Sequence, residues 1–277
     1  MKVLSYKYLT PNQDGIIPEL DRSAYMASQY ITLVQDYIST VKFTGKAAFL
    51  YAGGVMLSAS EARNVTDRGF YREHPKPSGT GIRELAAYSM HRWIGMFEGK
   101  ENIQYANING NTCASSMFSL YEAEKLLNDG FDEVFILAEE KTSYSTLRVF
   151  DESCIDLKIG EGLAMIHLGK GEGISNCKWF YEYSRNPFAV TPYGYSSVNQ
   201  VCDYVNPHGT GTAINEVAET EIFKDTPQLR YKEIIGHTQG VSGLLEVCLV
   251  LDEDIHGDVL CVSSGLGGFY GSCVVQK

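Results

Sequence analysis

Asn111-Thr112-Cys113-Ala114-Ser115-Ser116 is the stretch whose reading decides the fold, because it joins a β-rich run to a helical one across a single turn of small residues. Upstream, residues 103–108 have strand composition. Downstream, Met117, Leu120, Tyr121, Ala123, Leu126 and Leu127 recur at helical spacing, and Gly130 is a good stop. A cysteine at the first turn of a helix feels the positive end of the helix dipole and unpaired N–H groups, both of which favour a thiolate. Small neighbours leave room for a reactant to reach the sulfur. Read alone, the same segment is equally a buried cysteine under a Thr112 cap.

The pattern around it extends in both directions. Short β-rich runs at 2–8, 47–51, 103–108, 133–137 and 163–168 alternate with helical patterns at 22–38, 82–97 and 114–127. The second half repeats the order, with strand candidates at 179–183, 204–206, 233–235, 259–262 and 272–275. Its helical stretches fall at 197–203, 216–223 and 240–251. Strands alternating with helices predict an α/β architecture with sheets covered on both sides. His237, after the strand candidate 233–235, opens a helix as Cys113 does. Two similar halves, 1–169 and 170–277, are expected to aim these helix openings at one shared site.

The bulk properties narrow the function. At 277 residues the chain can bury a large core, and its formal charge of −11 disfavours nucleic acid or an anionic membrane as partner. MKVLSYKYLT lacks the apolar run of a signal peptide, and no stretch is long enough to cross a bilayer. Seven cysteines scattered at 113, 154, 177, 202, 248, 261 and 273, with no C-x-x-C pair, fit neither a disulfide framework nor a zinc ribbon. The expectation is a cytoplasmic protein without a metal. An acidic partner would need a local basic patch, for which Arg63, Arg68, Arg72 and Lys76, or the Lys42/Lys46 pair, are candidates.

Two further segments carry chemistry. In Asn206-Pro207-His208-Gly209-Thr210-Gly211-Thr212, glycines after a histidine permit close backbone approach to a ligand, and the threonines offer hydroxyls. In Gly236-His237-Thr238-Gln239-Gly240, a histidine at a helix opening is disfavoured from taking a proton and suits a neutral hydrogen-bond donor. His74, His91, His167 and His256 have no motif around them. Glu161 reads as part of a structural turn, and the aromatics at 179–183 read as strand packing.

These segments together resemble the β-ketoacyl-acyl-carrier-protein synthases, condensing enzymes of the thiolase-like superfamily. The nucleophile segment is similar to Thr112-Cys113-Ala114-Ser115-Ser116. The first histidine motif is similar to Tyr204 through Thr212, continuing to Glu216 and Glu219, and the second to Lys232-Glu233-Ile234-Ile235-Gly236-His237-Thr238. Arg148-Val149-Phe150-Asp151 with Gly160-Glu161-Gly162-Leu163-Ala164, and the loop Gly265-Leu266-Gly267-Gly268, complete five motifs in order.

The resemblance implies a layered α-β-α-β-α thiolase-like fold of two βαβαβ halves. It implies that Cys113 carries an acyl group as a thioester, with its own N–H and that of Leu266 forming the oxyanion hole. His208 and His237 would then bind the carbonyl of a malonyl thioester during decarboxylation. Lys232 and Glu219 would organise the histidines, and Thr210 and Thr212 would hold a phosphopantetheine arm. No resident cofactor is implied, since phosphopantetheine arrives on an acyl carrier protein. The family also implies a dimer, with itself or with a longer homologue.

The chain is a shortened member on this reading. Residues 141–147 stand where the family carries a helical insertion over the acyl pocket. Leu266 replaces the gating phenylalanine, and Phe269 and Tyr270 replace a Thr-Asn pair. Two other readings stay open: a chain-length-factor-like partner subunit of a heteromeric ketosynthase, and an acyltransferase or thioester hydrolase on the same fold.

Overall fold

A computed structural model of the chain describes residues 1–13, 15–17, 34–53, 93–140, 157–186 and 189–277. Most of the expected helices 22–38 and 82–97, the basic stretch from Arg63 to Lys76, Cys154, the motif at Arg148 and the shortened segment 141–147 lie outside the described residues. Residues 34–38 are helical.

Among the described residues, nine strands form two sheets. The first is ordered β1-β5-β4-β2-β3, built from β1 (Lys2–Leu9), β2 (Ala47–Ala52), β3 (Ile103–Asn109), β4 (Glu133–Glu140) and β5 (Gly162–Gly169). The second is ordered β6-β9-β8-β7, from β6 (Ile174–Tyr181), β7 (Tyr204–Asn206), β8 (Val259–Gly265) and β9 (Phe269–Val275). The sheets repeat one plan. In each, an outer strand pairs antiparallel with the last strand (β1 with β5, β6 with β9), that strand pairs antiparallel with its predecessor, and a parallel strand follows.

Two helices, α1 (Ser115–Asn128) and α5 (Ser242–Asp252), lie between the sheets, touching strands of both. Their shared core includes Leu50, Ile136 and Ile166 from the first sheet, Leu120 and Leu244 from the helices, and Cys261 and Val275 from the second. A second cluster, with Phe49, Phe135, Leu137, Met165 and Trp93, covers the outer face of the first sheet. A third packs α2 (Pro192–Val198) and α3 (Ala213–Phe223) on the second sheet through Tyr195, Phe223 and Val262. This is the expected layered α/β arrangement. It explains why β4 is buried along nearly its whole length rather than on alternate residues.

Both central helices open on the same device. Thr112 (φ 51°) and Gln239 (φ 50°) take left-handed backbone, each starts a 3-10 turn, and the α-helices then begin at Ser115 and Ser242. Non-glycine residues at positive φ are uncommon. Here they turn both chains sharply so that the two 3-10 turns pack on one another.

Several sequence expectations need correction. Residues 233–235 are helical, within α4 (Tyr231–Ile235), not a strand. Symmetry would place a fifth strand there, but Pro227–Leu229 already bridges the edge of β7. The chain then curls to deliver His237. The helix expected at 197–203 lies at Pro192–Val198, where Thr191 caps by accepting from Gly194 N at 3.0 Å and proline takes the first position. Lys42 and Lys46 flank the beginning of β2, the end of the sheet remote from Cys113. Lys42 pairs with Glu98, and Lys46 sits over the Phe131 ring at 4.0 Å, so neither lines a site entrance.

Candidate active site

Cys113, in the 3-10 turn ahead of α1, is half-buried. Its sulfur lies 3.1 Å from His237 Nε2, and the His237 Nδ1 lies 3.2 Å from Ser242 Oγ. His237 is fixed through its backbone as well, donating N–H to Lys158 O at 2.6 Å and accepting from Gly160 N at 3.1 Å. The His208 ring stands edge-on to His237, 88° apart in plane with centroids separated by 5.2 Å. Three segments far apart in sequence thus converge on one point.

The turn at Gly265–Gly268 reaches the same place. Thr112 Oγ1 donates to Leu266 O at 3.2 Å, and a Cβ on Gly265 would stand 2.5 Å from Thr112 Oγ1 and 3.2 Å from Ala114 N. Glycine is therefore required for the turn to lie against the Cys113 segment.

Charges around the site set protonation. Burial, then the charge of Lys232 and the neighbouring His237, hold His208 well below the usual histidine range; burial and Lys232 bring His237 down to about 3. Both imidazoles are neutral near pH 7. Burial, reinforced by Glu140, pushes the Cys113 thiol up to about 12, against the opposing pull of Lys232 and its own N–H. This corrects the expected thiolate. The sulfur sits before the α-helix proper, and loss of solvent with the charge of Glu140 outweighs the helix dipole.

Lys232 does not touch the histidines; it pairs with Glu246, which also accepts from Asn206 Nδ2 at 2.6 Å. Lys232 acts on both rings through its charge alone. Glu219 likewise sits behind the site: it accepts from Gly209 N, at 2.9 and 3.2 Å to its two oxygens, and from Tyr195 Oη at 2.9 Å. Thr210 and Thr212 lie half-buried at the mouth of α3, their hydroxyls 3.1 Å apart, with Asn215 donating to Thr210. Glu161 accepts from Ile17 N at 2.9 Å, an anchoring contact away from the sulfur.

Sequence reasoning missed Glu246, Tyr195 and Ser242. Glu246 had a signal, being the one charge in the apolar run Val241–Leu251; Tyr195 had none. Among the described residues no group of His, Cys, Asp or Glu is arranged to hold a metal ion, and no helix is long and apolar enough to cross a membrane.

Comparison with known proteins places this geometry. Residues 196–253, which contain His208, Lys232, His237 and Glu246, match the family model for the β-ketoacyl synthase C-terminal domain. Curated proteins gave no match. Among solved structures, a β-ketoacyl synthase from Burkholderia phymatum STM815 is similar at 15% identity and TM-score 0.66, over 94% of this chain and 85% of that one. A ketosynthase in complex with its chain length factor from Xenorhabdus doucetiae is similar at 16% identity and TM-score 0.63, over 99% and 97% of the two chains. A type II polyketide ketosynthase, AntDE, in complex with its acyl-carrier protein gives 12% identity and TM-score 0.64, over 83% and 78%. At these identities the structural likeness is one of fold. The fold is the thiolase-like fold of the ketosynthases. Within that fold, residues 196–253 are similar to the C-terminal domain of the β-ketoacyl synthases.

Proposed function

We propose that the chain is a condensing enzyme that joins an acyl group on Cys113 to a malonyl unit delivered by an acyl carrier protein, in fatty-acid or polyketide assembly. The observation that carries this reading is the contact of Cys113 with His237 at 3.1 Å beside a second neutral histidine.

In the first half-reaction the Cys113 thiol attacks the incoming thioester. Its proton passes to His237 Nε2 and on to the departing thiolate, which suits a sulfur that rests protonated. In the second, neutral His208 and His237, the latter now carrying its hydrogen on Nε2, donate hydrogen bonds to the malonyl thioester carbonyl. The bond to the carboxylate breaks, carbon dioxide leaves, and the enolate attacks the acyl–Cys113 carbonyl. The oxyanion so formed is held by the N–H groups of Cys113 and Leu266, an effect worth about 10²–10³-fold per donor. Collapse expels the Cys113 sulfur as a thiolate, which takes a proton from water to regain the resting thiol, and releases the lengthened product. Lys232 keeps the imidazoles neutral, while Thr210 and Thr212 flank the phosphopantetheine arm.

Intact-protein mass spectrometry with a panel of acyl carrier proteins tests the reading. Wild type gains an acyl adduct that Cys113→Ala lacks, and added malonyl-carrier protein then consumes it. Absence of any adduct would sink the enzymatic reading. A second reading, a partner subunit of a heteromeric ketosynthase, is supported by the near-complete overlap with a chain from a ketosynthase–chain length factor complex. It predicts that the adduct forms only on a second chain.

A further inference from the structure

We infer that Tyr195 is a positioning residue that holds the His208 loop and the oxyanion turn in register; the inference rests on the condensing-enzyme reading above. Its phenol is fully buried and stands between two catalytic segments. On one side the hydroxyl lies 2.9 Å from Glu219 Oε1, and Glu219 accepts from Gly209 N, the residue after His208. On the other side it lies 3.0 Å from Ser264 Oγ, two residues before Leu266. Asn215 Oδ1, 3.3 Å away, is a third neighbour, and Asn215 itself donates to Thr210.

A phenol has one proton to give. The carboxylate is the strongest and nearest acceptor, so Tyr195 donates to Glu219 and accepts from Ser264. The sequence of donors is therefore Ser264 to Tyr195 to Glu219, with Gly209 N–H entering Glu219 from the other side. Each group is buried, so each missing partner would leave a desolvated polar atom.

His208 depends on this support. Its Nδ1 is buried and makes no hydrogen bond among the described residues, which give the ring no polar anchor there. Gly209 has φ +58° and Gly211 φ +75°, which makes the loop a turn rather than part of a rigid element. What ties it down is the Gly209–Glu219 bond, and Tyr195 in turn fixes the Glu219 carboxylate. The Tyr195 ring is locked edge-on against Tyr270 at 5.4 Å, and Tyr270 Oη accepts from Thr191 N at 3.0 Å. Tyr270 lies on β9, just past the glycine turn, so this wall belongs to the same oxyanion hairpin.

The test uses the full-length chain and compares wild type, Tyr195→Phe and Ser264→Ala. In ¹⁵N-histidine and ¹⁵N-glycine spectra, Tyr195→Phe shifts the His208 ring nitrogens and the Gly209 amide while the His237 nitrogens stay in place. Ser264→Ala, which spares the bond to Glu219, moves Gly209 less. With malonyl-pantetheine as probe, kcat for decarboxylation falls about tenfold to a hundredfold in Tyr195→Phe, as expected when a donor is misplaced by about an ångström. The rate of Cys113 acylation falls less than decarboxylation does, because it uses the oxyanion turn but not the His208 donor. Unchanged His208 and Gly209 resonances would overturn the inference. So would equal losses of acylation and decarboxylation tracking the fraction folded. If wild type neither acylates nor decarboxylates, the condensing-enzyme reading fails, and the spectra still decide whether Tyr195 holds the loop.

Discussion

The Lys232–Glu246 pair shows how one buried charge controls two residues it does not touch. Both side chains are almost completely removed from water and in direct contact. Removing one partner of such a pair leaves an uncompensated charge, at a cost of about 3–5 kcal/mol, whereas replacing both with apolar groups is often close to neutral. Glu246→Leu should therefore lower stability by about 3–5 kcal/mol in urea titrations, and the double variant Lys232→Met/Glu246→Leu should recover most of that loss. The double variant should still change chemistry. Burial first, and the Lys232 charge second, hold His237 down to about 3; the same causes act on His208. Deleting the charge raises both values toward ordinary histidine. Since the donors act as neutral imidazoles, activity is lost as pH falls through those values, so the acidic limb of the decarboxylation profile should move upward. An unmoved limb in a folded double variant would show that the lysine charge does not set histidine protonation.

At the scale of elements, the turn between β8 and β9 separates two glycines that look alike in sequence. Gly268 has φ +87°, and a Cβ there would stand 1.9 Å from Glu182 O; Gly267 has φ +94°, but its nearest neighbour would be the Phe269 ring at 3.4 Å. Gly267→Ala should cost about 1 kcal/mol in backbone strain, whereas Gly268→Ala should cost clearly more and displace Leu266. Thermal melts with acylation assays check both, and equal effects would refute the close approach. The same distinction governs what was legible beforehand. The openings of α1 and α5 were readable because a nucleophile and a donor at a helix entrance need small neighbours and glycine, and periodicity marked the helices behind them. The segment 233–235 was not: a short apolar run suits strand or helix equally, and the choice was made by Pro227–Leu229 occupying the edge of β7. Glu219 was visible through its motif, but its partner Tyr195 is 24 residues distant, and Ser264 is 69 residues beyond Tyr195. No local pattern reports contacts of that range. The thiol was misjudged for a related reason, because burial and Glu140 are properties of the assembled site.

For the whole molecule, the edges of the two sheets differ in a way that bears on association. An exposed strand edge invites pairing with another chain, and proteins blunt it with lysine, proline or brevity. β1 carries Lys2 and Lys7, β6 carries Lys178, and β7 is three residues long and bridged by Gln228. β3, Ile-Gln-Tyr-Ala-Asn-Ile-Asn, has no charge and no proline, forms the outer edge of the five-stranded sheet, and exposes Tyr105 and Ile108. It also leads directly into the Cys113 turn. Left unpaired among the described residues and next to Cys113, this edge is expected to pair with a second chain and so to extend the sheet across a dimer. Analytical ultracentrifugation should find wild type dimeric at micromolar concentration. Ile108→Lys, a charge on the edge and away from the buried core, should weaken association by at least about 1.4 kcal/mol, a tenfold rise in dissociation constant. The folded monomer should keep its helical signal. A wild type that sediments as a monomer would exclude self-pairing through β3, and the edge would then be expected to pair with a chain of the same fold. Co-expression with such a chain should give a stable complex that Ile108→Lys also disrupts.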